Sequence, residues 1–325
     1  MPLCILLVGH GNMRIPPTGW GAVESLIWDY YCFLVRAGHA VSILNTRDAN
    51  TIVSVVNNQE WDVIHLHNDI LVNIIPHFNT NAKIIVSSHY PYIQDSSRWN
   101  DPQSGYDYGA LVFEPLRRAL KNKNVRMGVV SPKDYDVCSR AFSAQSVFLM
   151  LNGVSDDKYS FTEGPSQGDK TLCLAQIMKR KRQHLLRDIS SVVFVGKVID
   201  QDELVRERYL GEWDNEYKHK NMTEYGNAVL LSDGENGTPL SIKEALVAGL
   251  GVVVSEAAAW ELQGLGWPWV SVIQESRIQD VEYIQTQIEM NRIISQCMRK
   301  QIRDSAVALW SWSVLIPKYL ENVNS

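Results

Sequence analysis

"AVLLSDGENGTPLSIKEALVAGLGVVVSE", residues 228–256, reads as one complete strand–helix–strand unit. The flanking runs "AVLLS" (228–232) and "GVVVSE" (251–256) are short, aliphatic and β-branched, the pattern of parallel strands buried on both faces. Between them Thr238 is placed to N-cap a helix, Pro239 suits its first position and Gly249 its end. Gly237, Thr238, Pro239 and Leu240 then form a helix N-terminus, whose free N–H groups and dipole suit a phosphate. Glu235 lies in the loop, and Glu244 lies about one and a half turns into the helix with its side chain leaning back toward that terminus. A carboxylate beside an anion site is not there to bind phosphate. It accepts hydrogen bonds from hydroxyls, which points to a sugar or ribose joined to the phosphate.

The same alternation runs through the chain, so the expected fold class is α/β, with two Rossmann-like doubly wound domains facing each other across a cleft. Strands are expected at 3–9, 39–45, 62–67, 83–89, 125–131 and 146–151, with a helix over 21–38 closed by Gly38. A second series is expected at 171–177, 191–198, 228–232, 251–256 and 270–274. The stretch "SDDKYSFTEGPSQGDK" (155–170) has linker composition. From about Arg277 the chain reads as helix to its end, with Pro317 expected to kink or break it.

Composition removes several function classes. With 325 residues, 45% of them hydrophobic, the chain has enough apolar material for two cores, and a net charge of −5 argues against nucleic-acid binding through bulk positive charge. Cys4, Cys32, Cys138, Cys173 and Cys297 are odd in number and widely spaced, which suggests buried thiols in a reducing compartment rather than disulfides or zinc. No stretch reaches the roughly 18 apolar residues of a membrane span, so a cytoplasmic, soluble protein with at most peripheral membrane association is expected. The basic stretch at 116–126 is expected to be a solvated helix.

Three further strand-to-helix turns carry candidate chemistry. In "GHGNMRIPPTGWGAVE" (9–24), Gly9 and Gly11 open a dinucleotide-binding fingerprint that Arg14 interrupts, and no acid closes the second strand. The helix entry at Gly19-Trp20-Gly21 could instead bring backbone N–H groups to a phosphate. In "SSHYP" (87–91), His89 at a strand end is open to a structural or a functional reading, while His65 and His67 are read as structural. In "LAQIMKRKRQHLLR" (174–187), Lys179, Arg180, Lys181, Arg182 and Arg187 follow a strand with no acid among them, which suits an anionic ligand.

Together these motifs resemble family 4 of the GT-B fold glycosyltransferases, the retaining, nucleotide-sugar-dependent group. "GWGAVE" (19–24) resembles its glycine-rich loop, "WDVIHLHND" (61–69) and "SSHYP" (87–91) its strand-end histidines, and "LNGV" (151–154) the segment before its interdomain linker. The opening stretch resembles its E-x7-E element, and "WSWSVLIPKYL" (310–320) its returning C-terminal helix. The resemblance implies an acceptor-side domain over 1–155, with a C-terminal helix at 306–325 packing back on it, and a nucleotide-sugar domain over 156–305. It implies catalytic roles for His89, Glu235 and Lys181. Donor contacts would come from Gly21, Gln176, Arg182, Gly237, Thr238, Pro239, Leu240 and Glu244, with Glu244 on the ribose.

Two positions depart from the family pattern. The family arginine falls at Gln176, leaving Lys179, Arg180 or Arg182 to replace it. The two glutamates are nine apart rather than eight, so either the loop carries an extra residue and Glu235 keeps its role, or Asn236 takes it; the first is favoured. The implied activity is transfer of a sugar from a UDP- or GDP-sugar to a glycan, lipid-linked or small-molecule hydroxyl. Neither cofactor nor metal is expected, because Asp134-Tyr135-Asp136 and Asp200-Gln201-Asp202 read as caps or solvated loops. The alternatives are a catalytically silent nucleotide-sugar-binding protein and, on Gly9 and Gly11 alone, an NAD-dependent oxidoreductase.

Overall fold

The computed structural model describes residues 1–19, 21–89, 93 and 107–324. Trp20, and Tyr90 and Pro91 of the "SSHYP" motif, lie outside the described residues. The chain divides into two compact units. The first comprises Met1–Pro17, Gly21–Asn152 and the C-terminal segment from Trp312, and the second is Gly153–Ser311 with Thr18 and Gly19.

In the first unit β1 (Cys4–Gly9), α1 (Ala22–Arg36), β2 (Ala40–Asn45), α2 (Ala49–Asn58), β3 (Val63–Leu66), β4 (Lys83–Ser88), α3 (Glu114–Ala119), β5 (Val125–Val129), α4 (Pro132–Ala141) and β6 (Val147–Leu149) follow in order. The strands form one parallel sheet in the order β2-β1-β3-β4-β5-β6. Its central strands are buried, with Ile5, Leu7, Val8, Ile64, Leu66 and Val86 all below 2% exposure. Side chains of this kind contribute about 1.5–3 kcal/mol each on burial, which is why such runs hold a two-sided parallel sheet. α1 buries Leu26, Ile27, Tyr30 and Leu34, one stripe of the 3.6-residue period. Gly38 (φ 89°) ends it, with its N–H donating to Val35 O and the His39 N–H to Leu34 O.

The second unit contains β7 (Gln167–Leu174), β8 (Val192–Val195), α5 (Asn215–Asn221), β9 (Tyr225–Leu230), α6 (Leu240–Val247), β10 (Gly251–Ser255), β11 (Val270–Ile273) and α7 (Val281–Trp310). Its parallel sheet runs β11-β10-β9-β7-β8. Gly249 (φ 87°) closes α6 as Gly38 closes α1, with Gly249 N–H on Leu246 O and Leu250 N–H on Ala245 O. Both are Schellman motifs.

Four expectations need correction. The 155–170 stretch is not a free linker, because its polar residues bond to the body of the second unit. A turn forms at Asp156–Lys158, Tyr159 is buried, the Thr162 N–H donates to Thr223 Oγ1, the Ser166 N–H donates to Glu224 Oε2, and β7 already begins at Gln167. The C-terminal helix breaks at Ser311 (φ −59°, ψ 138°), not at Pro317. There the Val154 N–H donates to Trp310 O and the Ser311 hydroxyl to Asp156, holding the chain extended, while Pro317 sits inside α8 (Trp312–Asn324). Cys297 is exposed rather than buried. The basic 116–126 stretch is helical only to Ala119; Leu116 is buried and Arg126 belongs to β5. Among the described residues no helix is long and apolar enough to cross a membrane.

Candidate active site

Each sheet reverses its strand order at one point. In the second unit the chain passes from β7 to β8 on one side and then to β9 on the other, so the switch lies between β7 and β9. Ligands of open α/β sheets bind outside the carboxyl ends of the strands at such a point. The loop after β7 carries the basic run and the loop after β9 carries Glu235, so the topology brings them together.

Lys181 donates to Glu235 Oε1, Arg180 Nη1 donates to the same oxygen at 3.2 Å, and the Ser232 hydroxyl also donates to it. Backbone bonds lock the loops, with the Asp233 N–H on Arg180 O and an Arg180 guanidinium N–H on Gly234 O. Gly234 (φ 155°) and Gly237 (φ 87°) both adopt backbone that other residues rarely take, and this twist turns Glu235 toward the lysine. Lys181 is 9% exposed, and burial lowers its pKa against the opposing charge of Glu235. The arrangement is a cluster of two cations and a hydroxyl about one carboxylate.

The remaining members of the basic run diverge. Arg182, in left-handed backbone (φ 55°), makes a bidentate pair with Glu275 at 2.9–3.0 Å and stands 3.8 Å from Asp233. It is tied to carboxylates rather than turned to the Lys181 group. Gln176 is half-buried, and its carbonyl accepts from Gln183.

The helix after Glu235 starts one residue later than its sequence suggests. Pro239 is the N-cap, without a side-chain cap bond, and α6 begins at Leu240. Thr238 does not cap, because a carboxylate from elsewhere captures it: its N–H donates to Glu261 Oε1 at 3.2 Å and its hydroxyl accepts the Glu261 N–H at 3.2 Å. Glu261 Oε2 also accepts from Trp310 Nε1 at 2.9 Å and pairs with Lys243 Nζ at 2.8 Å. Lys243 is fully buried, and burial lowers its pKa against the charge of Glu261. This network fixes the turn before α6, while the Leu240 and Ser241 N–H groups are among those a helix start leaves for a ligand. Gly237, Thr238, Pro239 and Leu240 thus line one helix mouth.

Glu244 lies on another face of α6. Its Oε1 accepts from Lys218 Nζ of α5 at 2.6 Å, and the Tyr159 hydroxyl also bonds the carboxylate. Burial alone would raise its pKa, but the Lys218 charge and these hydrogen bonds outweigh it and hold Glu244 below the usual carboxylate value.

In the first unit the switch lies between β1 and β3, and histidines gather there. His65 and His67 stack at 3.8 Å between ring centroids, and His67 stacks on His89 at 5.7 Å. His65 is satisfied by Ser87 Oγ at 2.8 Å and the Tyr319 hydroxyl at 3.3 Å. The ring nitrogens of His67 and His89 find no hydrogen-bond partner among the described residues. Burial, with His10 nearby, pushes His89 down to about 4, so all three rings of the stack are neutral near pH 7. His10 pairs with Glu24 at 3.2 Å, and Gly21 (φ 138°) is the N-cap of α1, beside that carboxylate. Where a dinucleotide fold places an acid, β2 ends in Asn45, which accepts the Gly11 N–H and donates to Met13 O.

Sequence reading missed Arg180 and Ser232 as partners of Glu235, and it missed Lys218, Tyr159 and Glu261. Arg180 stood in the basic run, but nothing ranked it above its neighbours. Ser232 stood three positions before Glu235 in the same loop, with nothing to mark it, while Lys218, Tyr159 and Glu261 are brought near only by the fold.

No protein-family model matches the chain, and no curated protein matches it. Solved structures do. Over 98% of both chains it resembles sucrose-phosphate synthase from Thermosynechococcus elongatus, with a TM-score of 0.74 and 14% identity. HepE from Anabaena, in complex with UDP and glucose, matches with a TM-score of 0.70 and 15% identity over 99% of this chain and 100% of that one. The catalytic domain of starch synthase IV from Arabidopsis thaliana, bound to ADP and acarbose, matches with a TM-score of 0.68 and 12% identity over 100% and 99%. The chain therefore shares the GT-B fold of these proteins.

Proposed function

We propose that this protein is a glycosyltransferase that moves a sugar from a nucleotide-diphosphate sugar to an acceptor hydroxyl, with retention and without a metal. The observation that carries the reading is the convergence of Lys181, Arg180 and Glu235 at the strand-order switch of the second unit, beside the mouth of α6. Structural neighbours crystallised with UDP and glucose or with ADP support it.

In this reading the donor diphosphate takes the place that the Glu235 carboxylate holds against Lys181. As the bond from the anomeric carbon breaks, its electron pair goes to the leaving diphosphate oxygen, the acceptor oxygen forms the new bond to that carbon, and the acceptor's proton passes to the departing diphosphate. Lys181, Arg180 and the N–H groups of Gly237 and Leu240 stabilise that charge, at about 3–4 kcal/mol for a well-placed donor. Glu235, released from the lysine, accepts hydrogen bonds from the sugar hydroxyls. His89, neutral and with unpartnered ring nitrogens among the described residues, contacts the transferred sugar or its phosphate. Gly21 offers its backbone N–H to the phosphates. Arg182 and Gln176 act through the loop they belong to, while Glu244 holds the ribose.

The Asp-x-Asp pairs are occupied elsewhere, which favours a metal-free reaction. Asp200 caps a turn at the Asp202 N–H, Asp134 is buried in the first turn of α4, and Asp136 lies 3.9 Å from Arg140.

The test is incubation of the protein with UDP-, ADP- and GDP-sugars, following thermal stabilisation and nucleotide release with and without acceptors. Release with one donor, slowed by about 10²–10³-fold in Glu235→Gln, is expected; neither stabilisation nor release with any donor would falsify the reading. One observation favours a catalytically silent binder instead, namely the Glu235 carboxylate already neutralising Lys181. That alternative predicts nucleotide-sugar binding with no release, unchanged in Glu235→Ala.

A further inference from the structure

Lys243 and Glu244 are adjacent in sequence, yet their ion pairs differ in kind. The Lys243–Glu261 pair is sealed, with side chains 0% and 4% exposed, and Glu261 is saturated by donors from Thr238, Trp310 and Lys243. The Lys218–Glu244 pair keeps an open edge, at 16% and 15%. A carboxylate offers about four lone-pair sites and an ammonium three N–H groups. Lys218 and Tyr159 use part of the first set, and among the described residues Glu244 is the acceptor found for Lys218. Half-buried polar capacity of both signs is left at one place. His219, edge-on to Tyr159 at 4.6 Å, adds no second charge there near pH 7, because burial first and then Lys218 push it down to about 4.

We propose that Lys218 is a ribose-binding residue, and that the Lys218–Glu244 pair selects ribonucleotides over deoxyribonucleotides. The inference rests on the proposed nucleotide-sugar function. A hydroxyl is donor and acceptor at once, so a lone carboxylate meets only half of what a cis-diol offers. With an ammonium 2.6 Å from the carboxylate, Glu244 accepts the hydroxyl protons while Lys218 donates to the hydroxyl oxygens. A nucleotide lacking one hydroxyl covers this pair without matching it, and a site built to bond a hydroxyl rejects the analogue that lacks it. Tyr159, Lys218 and Glu244 come from the entry segment, α5 and α6, three separate parts of the second unit. Their convergence at a half-open edge is what a recognition site needs and a surface ion pair does not.

The test is titration calorimetry of UDP, ADP and GDP, each with its 2′-deoxy and 3′-deoxy counterparts, on the wild type, Lys218→Met and Lys218→Arg, with a melting curve for each protein. The wild type should bind one ribonucleotide at least about tenfold more tightly than a deoxy form, since hydrogen bonds to charged groups are the strong ones. In Lys218→Met that preference should fall to about threefold or less through weaker binding of the ribonucleotide, and Lys218→Arg should retain most of it. If Lys218→Met does not fold, Lys218→Gln, which keeps a neutral donor to Glu244, is judged by the same threshold. Full preference in the folded neutral variant overturns the role of Lys218 and leaves the proposed function standing. Nucleotide binding by the wild type without ribose preference overturns the ribose roles of both Lys218 and Glu244. Failure of all three nucleotides to bind the wild type overturns the underlying function and this inference with it.

Discussion

Lys181 and Glu235 lie 54 positions apart and form a direct, largely buried ion pair at the carboxyl ends of β7 and β9. The pair neutralises the Lys181 charge within the second unit. Lys181→Met should therefore do two things. Nucleotide-diphosphate affinity should fall by about 10- to 100-fold, and stability should drop by about 1.5–3 kcal/mol because Glu235 loses its more buried partner and keeps Arg180. Calorimetric titration with UDP and urea unfolding measure the two; undiminished affinity would remove Lys181 from the diphosphate.

Glu235→Gln separates binding from chemistry. The amide still accepts from Lys181 and still bonds a sugar hydroxyl, but it no longer carries the charge. Turnover should fall by about 10²–10³-fold, with the donor KM changed by less than about threefold. A KM rise with turnover intact would assign Glu235 to ground-state binding alone.

The sealed pair beneath α6 governs stability. Glu261→Gln leaves the fully buried Lys243 ammonium without its counter-charge and should cost about 3–5 kcal/mol in urea unfolding. Lys243→Met combined with Glu261→Gln should recover most of that loss, because the uncompensated charge is gone. A double variant no better than Glu261→Gln alone would show that the hydrogen bonds to Thr238 and Trp310, rather than the charge pairing, carry the effect.

Acid should destabilise the protein in a window set by its buried histidines. His89 and His219 fall from 6.5 to about 4 on folding, so between these values the unfolded chain binds more protons and stability falls as pH falls. Each histidine contributes a slope of up to about 1.4 kcal/mol per pH unit in that range. Glu244 acts lower, since its depressed pKa gives stability that is lost only as pH falls below 4.5. Urea midpoints between pH 4.5 and 7.5 should show the slope, and His219→Gln should flatten part of it.

The two Schellman glycines should respond unequally to alanine. At Gly38 a Cβ meets nothing within 4 Å among the described residues, so Gly38→Ala should cost only the left-handed backbone, about 1–2 kcal/mol. At Gly249 the Cβ would stand 2.8 Å from Phe161 Cε2, so Gly249→Ala should cost clearly more. Thermal unfolding compares them directly, and equal shifts would mean that Phe161 moves freely.

The strands were legible because a two-sided parallel sheet needs nearly unbroken apolar runs, as in "ILLVG" and "VVFV". The glycine-closed helix ends were legible for the same local reason. What stayed hidden was decided between distant segments. Thr238 carries every local sign of a cap, yet Glu261, 23 positions on, takes its hydroxyl and N–H. Pro317 carries every sign of a break, yet the break falls at Ser311, where a bond from Val154 competes with the helix. The basic run "KRKR" looked uniform, although Arg180 and Lys181 meet Glu235 while Arg182 turns to Glu275. Neighbouring side chains leave a turn in different directions, and charge alone does not say which reaches a ligand.

The bond from the Val154 N–H to Trp310 O, with the Ser311 hydroxyl on Asp156, ties the point where the chain enters the second unit to the point where it leaves. Residues 153–311 are therefore an insert whose ends meet. A segment of that kind is a module: it can be excised with its termini already adjacent, rejoined by a short peptide and reopened at a surface loop without stretching its fold.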